Sequence, residues 1–308
     1  MATLGSDHRQ EAMAKSPPVF RFAPSPNGRL HLGHALSALT SAQLCTRFDG
    51  QLLLRIEDID LTRCRPEFEQ GIDEDLAWLG VRFDGAVRRQ SEHFDDYRSA
   101  LARLQEMALV YPCFCSRQDV KLAVARREAE TGKPWPRDPD GAPLYPGSCR
   151  DLSEKERDER MAAGEPHVLR LAMDRALASA NLSCPAFAYS VFDASGDEQR
   201  IAVDPARWGD VVLARKDVPT SYHLSVVVDD AIQGVSHIVR GRDLEAATDI
   251  HVVLQRLLGL PTPLYHFHRL LADETGQKLA KSRQSPGLAD LRAQGVTPAE
   301  IRRQLGFT

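Results

Sequence analysis

Two histidines three positions apart and two lysines three positions apart are the residues whose types and spacing suit chemistry on a nucleotide. His31 and His34 follow Arg21-Phe22-Ala23-Pro24-Ser25-Pro26-Asn27-Gly28, with Gly33 between them. Lys278 and Lys281 stand in Lys278-Leu279-Ala280-Lys281-Ser282, behind Gly276. Attack on phosphorus builds negative charge on its oxygens, and cations, N–H donors and a helix N-terminus stabilise that charge. At the opening of a helix, residues three apart share a side, so both imidazoles face one ligand, while Gly33 presents no side chain to obstruct a nucleotide. Zinc binding by the pair is a rival, weakened because no third ligand lies nearby. The lysine pair alone reads as a solvated helix face. Its pairing with the histidine motif turns that reading into a triphosphate contact.

The elements that must position these residues alternate between strand and helix. Residues 19–23 are short and apolar, the Pro and Gly residues after them force a turn, and apolar positions recur at helical spacing over 32–44. Residues 51–56 read as a buried strand, Pro66 opens a helix through Trp78 and Leu79 that Gly80 ends, and Ser91 caps a helix running to Met107. Strands are expected over 110–114, 211–213, 224–228, 238–239 and 264–267, with a helix over 244–258 closed by Gly259 and a last helix opened by Thr297-Pro298. This is the alternation of an α/β parallel sheet covered by helices. Residues 131–150, rich in Pro, Gly and charge, are too long for an ordinary connection and imply an inserted subdomain. The expected organisation is a disordered tail over 1–17, a catalytic domain over 18–112 and 208–268, an insertion over 113–207, and a lysine-loop and short helical segment over 269–308.

Composition sets the surroundings. With 43% hydrophobic and 27% charged residues among 308, the chain is an ordinary globular one with room for a sizeable core. No apolar run approaches the roughly 20 residues that span a bilayer, and residues 1–15 lack the apolar core of a secretory signal, so the cytoplasm is the default expectation, without membrane partner. A net charge of −4 gives no overall basic signature, and a nucleic-acid partner must be held by local patches. Arg269, Lys278, Lys281, Arg283, Arg292, Arg302 and Arg303 supply one near the C-terminus, although a solvated face is the plainer reading. Cys45, Cys64 and Cys184 are isolated and read as inert thiols. Cys113, Cys115 and Cys149 surround the Pro- and Gly-rich stretch, where a metal suits a cytosolic chain better than disulfides. Spacing alone leaves metal and free thiols level.

The stretch from Arg21 to His34 resembles the "HIGH" signature of class I aminoacyl-tRNA synthetases in the form found in glutamyl-tRNA synthetases, and Lys278 to Ser282 resembles their "KMSKS" loop. Arg55-Ile56-Glu57-Asp58-Ile59-Asp60, Tyr222-His223-Leu224 with Asp229-Asp230, and Ile238-Val239-Arg240-Gly241-Arg242-Asp243-Leu244 extend the resemblance over residues 19 to about 290. It implies a Rossmann-like catalytic domain that joins L-glutamate to AMP from ATP, with Mg2+ as companion ion. Glutamate has two carboxylates and one ammonium, and Arg21, Arg240 and Glu57 match that count. By resemblance, Arg21, Phe22, Ala23, Pro24 and Ser25 hold one part of the amino acid, Glu57 receives the α-ammonium, and Tyr222 with Arg240 fixes the remaining carboxylate. His31, His34 and Lys281 bind ATP, and with Lys278 they make up the catalytic set. Leu279 and Ala280 depart from the family's methionine and serine, which removes a hydroxyl but neither lysine.

The chain runs only about twenty-five residues past Ser282, too few for an independent anticodon-reading domain, since chains below roughly 40 residues seldom fold unaided. That arrangement, with its Cys-x-Cys and Tyr-x-x-x-Cys cluster, resembles the glutamyl-queuosine tRNA(Asp) synthetase branch of the family. The branch implies one structural zinc ion on Cys113, Cys115, Tyr145 and Cys149, and transfer of glutamate to the cyclopentenediol of queuosine in the anticodon of tRNA(Asp). A shortened glutamyl-tRNA synthetase charging the 3′ end of tRNA(Glu), or a non-catalytic tRNA-binding relative, are the rivals. A monomer is the default expectation for oligomeric state.

Overall fold

The computed structural model describes residues 16–179, 187–271 and 286–307. Among the described residues ten strands run in chain order as β1 (Val19–Phe22), β2 (Gln51–Ile56), β3 (Arg88–Arg89), β4 (Val110–Cys113), β5 (Val168–Leu171), β6 (Ala188–Phe192), β7 (Glu198–Ala202), β8 (Val212–Ala214), β9 (His237–Gly241) and β10 (Leu264–His268). The helices are α1 (Leu32–Arg47), α2 (Pro66–Trp78), α3 (Phe94–Glu106), α4 (Arg117–Thr131), α5 (Glu154–Ala162), α6 (Met173–Ser179), α7 (Tyr222–Ile232), α8 (Thr248–Leu258), α9 (Leu288–Ala293) and α10 (Pro298–Leu305).

One sheet has the order β3-β2-β1-β9-β10-β6-β7, parallel throughout except for the β6–β7 hairpin at its edge. Strand alternation divides its residues between two faces. Phe20, Phe22, Leu52, Leu54, Ile56 and Val239 enter the core formed with α1, α2 and α10. Arg21, Arg55 and Arg240 lie at the intervening positions, where Asp229 and Asp230 of α7 and Thr248 and His251 of α8 meet them. The buried polar residues therefore collect on one face, near the carboxyl ends of β1, β2 and β9.

Several expectations are corrected. Residues 224–228, expected as a strand, lie within α7, and every residue from Leu224 to Asp230 is buried. A helix buried on all sides has no polar stripe, so its run of valines mimics a buried strand. Residues 110–114 and 211–213 do form strands, but in a separate antiparallel sheet ordered β4-β5-β8. Conversely β6, drawn from the stretch between 113 and 207, hydrogen-bonds to β10 of the large sheet. Local sequence pattern identifies a strand and leaves its partner open. Ser91 does not cap α3, whose N-cap is His93; its amide and hydroxyl both donate to Asp58, the amide at 2.8 Å. The tail over 1–15 lies outside the described residues, as does Cys184.

Candidate active site

The carboxyl ends of β1, β2, β9 and β10 open onto one cavity of about 600 Å3, the place where open parallel sheets hold ligands. Arg21, Phe22, Ala23, Pro24 and Ser25 line it from β1 and the turn beyond, and His31 and His34 from the start of α1. Glu57 just past β2, Tyr222 at the start of α7 and Arg240 on β9 complete the wall. The residues that the resemblance assigned to the amino acid thus meet both histidines in one place. Lys278 and Lys281 lie outside the described residues. Leu271 before that segment lines the cavity, and Gly287 after it forms a β-bridge with His31.

The histidine pair is built by the helix itself. His31 is the N-cap of α1, its Nδ1 accepting the Gly33 amide at 3.0 Å, and His34 Nδ1 accepts the His31 amide at 3.1 Å. A ring nitrogen that accepts carries no proton, so each neutral imidazole bears its hydrogen on Nε2. The ring centroids are 4.0 Å apart. One local motif therefore satisfies two helix-end amides and orders two N–H donors beside the positive end of the helix. Gly33 is required by His31: a Cβ at position 33 would stand 2.8 Å from His31 Cε1. Gly33 also lines the cavity, where the lack of a side chain leaves room for a ligand.

Beneath the cavity, acidic side chains of α7 anchor the cations of β1 and β2. Asp230 Oδ1 accepts from Arg21 Nε at 3.0 Å and from Arg55 Nη1 at 2.8 Å. Arg55 also reaches Glu57 at 3.3 Å and Asp229 at 3.9 Å. Asp229 is fixed in turn by Tyr97, Gln90 and Arg88 at 2.8, 2.7 and 2.7 Å. Burial would raise the Asp230 carboxyl, yet Arg21 and Arg55 hold it below the ordinary carboxylate range. Burial pushes Glu57 up, with Arg55 and Arg21 opposing. The Glu57 amide donates to Pro24 O at 2.9 Å, which ties that carboxyl to the turn after β1.

Arg240 differs from its neighbours. Its guanidinium, 4% exposed, donates to His251 Nδ1 at 3.0 Å and to the Thr248 hydroxyl, while Nε has no hydrogen-bond partner. It lies over the rings of Tyr265 and Phe267, 5.1 and 5.6 Å from their centroids. Among the described residues no carboxylate pairs with it. A buried charge without a counter-ion costs several kcal/mol, about what a bound anion would return. Thr248 and His251 were missed in the sequence. The available signal was their polarity on α8, where Thr248, Asp249, His251 and Gln255 are buried among apolar neighbours.

A second constellation lies in the antiparallel region. The Sγ atoms of Cys113, Cys115 and Cys149 fall within 4.8 Å of one another, with Cys115 and Cys149 at 3.5 Å. Thiolates at about 2.3 Å from a tetrahedral metal stand about 3.8 Å apart, so the group fits a metal ion. The Tyr145 hydroxyl is 3.5 Å from Cys115 Sγ and accepts the Cys149 amide at 2.8 Å. Hydrogen bonding from Cys113, opposed by burial, draws the Cys149 thiol well down, toward the thiolate that binds metals. A groove of about 1630 Å3 runs from this cluster to the cavity; Cys115 and Tyr145 line it at one end, and Ser25, Glu57 and Tyr222 line both spaces.

The family model "tRNA synthetases class I (E and Q), catalytic domain" matches residues 19–306. The chain belongs to this class I synthetase family. A protein from Rhodobacter capsulatus named glutamyl-Q tRNA(Asp) synthetase is 46% identical over 289 residues, spanning 94% of this chain and all of that one. A glutamate--tRNA ligase from Aquifex aeolicus is 34% identical over 91% of this chain and 55% of its own length. Among solved structures, a glutamate tRNA ligase from Elizabethkingia meningosepticum in complex with its amino acid superposes with a TM-score of 0.69 at 25% identity. That match covers 91% of this chain, which spans 53% of that structure. The nucleotide of class I synthetases is ATP. No helix among the described residues is long and apolar enough to cross a membrane.

Proposed function

We propose that this class I synthetase activates L-glutamate with ATP and transfers the glutamyl group to a hydroxyl of the queuosine cyclopentenediol in the anticodon of tRNA(Asp). The observation that carries the reading is the uncompensated Arg240 guanidinium in a cavity that also holds Glu57 and the histidine pair. In a family of the glutamate and glutamine type, such a charge selects the amino acid whose side chain is a carboxylate. The relative named for the tRNA(Asp) reaction, matched over its whole length, favours that acceptor over tRNA(Glu).

In the first step the α-carboxylate attacks the α-phosphorus of ATP, an acyl–phosphate bond forms, and pyrophosphate leaves. Arg240 with Tyr222 holds the side-chain carboxylate, Glu57 receives the α-ammonium, and Arg21 with Ser25 completes the grip. His31 and His34 present Nε2–H donors to the phosphates, and Lys278 and Lys281 are assigned to the same task, with Mg2+ as companion. In the second step the queuosine hydroxyl attacks the acyl carbon, its proton is released, and AMP departs as the ester forms. The groove between the cavity and the cysteine cluster gives the anticodon loop its approach. Cys113, Cys115, Tyr145 and Cys149 would hold one zinc ion as a structural cross-link.

Incubation with ATP, labelled glutamate and tRNA(Asp) with and without queuosine, then with tRNA(Glu), tests the reading. Label confined to queuosine-containing tRNA(Asp) is expected. Label on tRNA(Glu) would establish the shortened glutamyl-tRNA synthetase instead, and no adenylate at all would leave a non-catalytic binding protein.

A further inference from the structure

Among the described residues three buried guanidiniums border or underlie the cavity, and they are treated differently. Arg21 and Arg55 share Asp230, whereas the nearest polar neighbours of Arg240 are a hydroxyl and an imidazole. Arginine has donors and no acceptor, which fixes the chemistry of the contact. His251 Nδ1, 3.0 Å from Arg240 Nη1, must be the unprotonated acceptor. The His251 hydrogen is then on Nε2, 3.2 Å from His223 Nδ1, and that nitrogen must accept in its turn. The order of donation runs from Arg240 through His251 to His223, and each link is set by the one before.

We propose that His251, backed by His223, is a positioning residue for glutamate recognition: it aims the Arg240 guanidinium into the cavity while leaving its positive charge uncompensated. A carboxylate at position 251 would orient the guanidinium equally well and would also neutralise it. A neutral acceptor separates the two effects. This inference rests on the glutamate-activating reading given above.

The surroundings hold the relay in place. His251 is 2% exposed on α8, while His223 on α7 reaches the wall of the larger groove. Tyr222 packs against both imidazoles with ring centroids 5.5 and 5.6 Å away, and Trp208 meets His223 edge-on at 6.3 Å. Burial first, and the Arg240 charge second, push His223 down to about 4 and His251 well below the ordinary histidine value. Both rings are therefore neutral at neutral pH, as the order of donation requires.

The test compares His251→Asn with His251→Asp, two side chains of one size that place an oxygen near the Nδ1 position and differ in charge. Glutamate- and glutamine-dependent ATP–pyrophosphate exchange is measured for the parent and both variants, each checked by circular dichroism for a native fold. The asparagine variant is expected to keep glutamate kcat/KM within about threefold of the parent. The aspartate variant is expected to lose about tenfold to a hundredfold through KM for glutamate, the scale of a hydrogen bond to a charged group, with KM for ATP unmoved and the preference for glutamate over glutamine reduced. Equal behaviour of the two folded variants would overturn the proposal, as would a loss that falls on kcat or on the KM for ATP. If the aspartate variant alone fails to fold, a parent-like glutamate KM in His251→Ala overturns the proposal, and a raised one restored by His251→Asn supports it. A parent protein that forms no glutamyl-adenylate would instead sink the functional reading, and the inference with it.

Discussion

Arg21 of β1 and Asp230 of α7 form a buried ion pair, Nε to Oδ1 at 3.0 Å, across 209 positions of sequence. The same oxygen accepts from Arg55. One carboxylate thus anchors Arg21, which lines the cavity, and Arg55, which holds Glu57. Substituting Asp230→Asn removes the charge and leaves two guanidiniums facing a neutral amide. The expected outcome is a destabilisation of about 3–5 kcal/mol, the usual result of breaking a buried pair, with weaker glutamate binding in whatever remains folded. Urea unfolding measures the first effect and pyrophosphate exchange the second; an unchanged unfolding midpoint would show that the pair does not support the fold.

Position 33 offers a sharper separation of activity from stability. Gly33→Ala places a Cβ 2.8 Å from the His31 ring while improving helix propensity by up to about 1 kcal/mol. Displacing that ring by a fraction of an ångström should slow adenylate formation by about tenfold to a hundredfold, since misplacement of about 1 Å can cost that much. Thermal stability should change little. Activity equal to the parent would mean that the His31 geometry is not needed.

The cysteine cluster predicts a metal-dependent fold in its own region. Protein purified without chelator should carry one zinc ion per chain by elemental analysis, and Cys149→Ser should lower both metal content and melting temperature. A groove separates the cluster from the cavity, so the KM for glutamate should remain near the parent value. Absence of metal from freshly purified protein would remove the four-ligand assignment.

The relay has a signature in pH. Burial and the Arg240 charge lower His223 from 6.5 in the unfolded chain to about 4 in the folded one. Between those values the unfolded state binds more protons, so this site's contribution to stability is complete above pH 6.5 and is lost as pH falls toward 4. His223→Gln removes the titration, and its stability should decline less steeply than that of the parent across this window. Parallel profiles from urea unfolding at several pH values would show that His223 does not titrate as the geometry requires.

Much of the site was legible in the sequence because its parts are local. The turn after β1, the two histidines at the head of α1 and the residue just past β2 each lie within a few positions of an element whose period and punctuation are plain. The assignment of Lys278 and Lys281 rests on the same kind of local pattern, and that segment lies outside the described residues. What misled was equally local: the buried helix α7 shows no polar stripe, and Ser91 has the chemistry of a cap but donates to Asp58 instead.

Residue type and spacing by themselves determined the alternating α/β plan, the histidine pair and the cysteine cluster, while the charges suited to glutamate were picked out through the family resemblance. Tertiary structure alone decided which cation is left without a carboxylate partner among the described residues. Arg21, Arg55 and Arg240 look alike as residues, and only packing gives the first two a carboxylate and the third a histidine and a threonine. The physical reason is that counter-ions come from helices far along the chain, so the net charge at the cavity floor is a property of how α7 and α8 lie against the sheet.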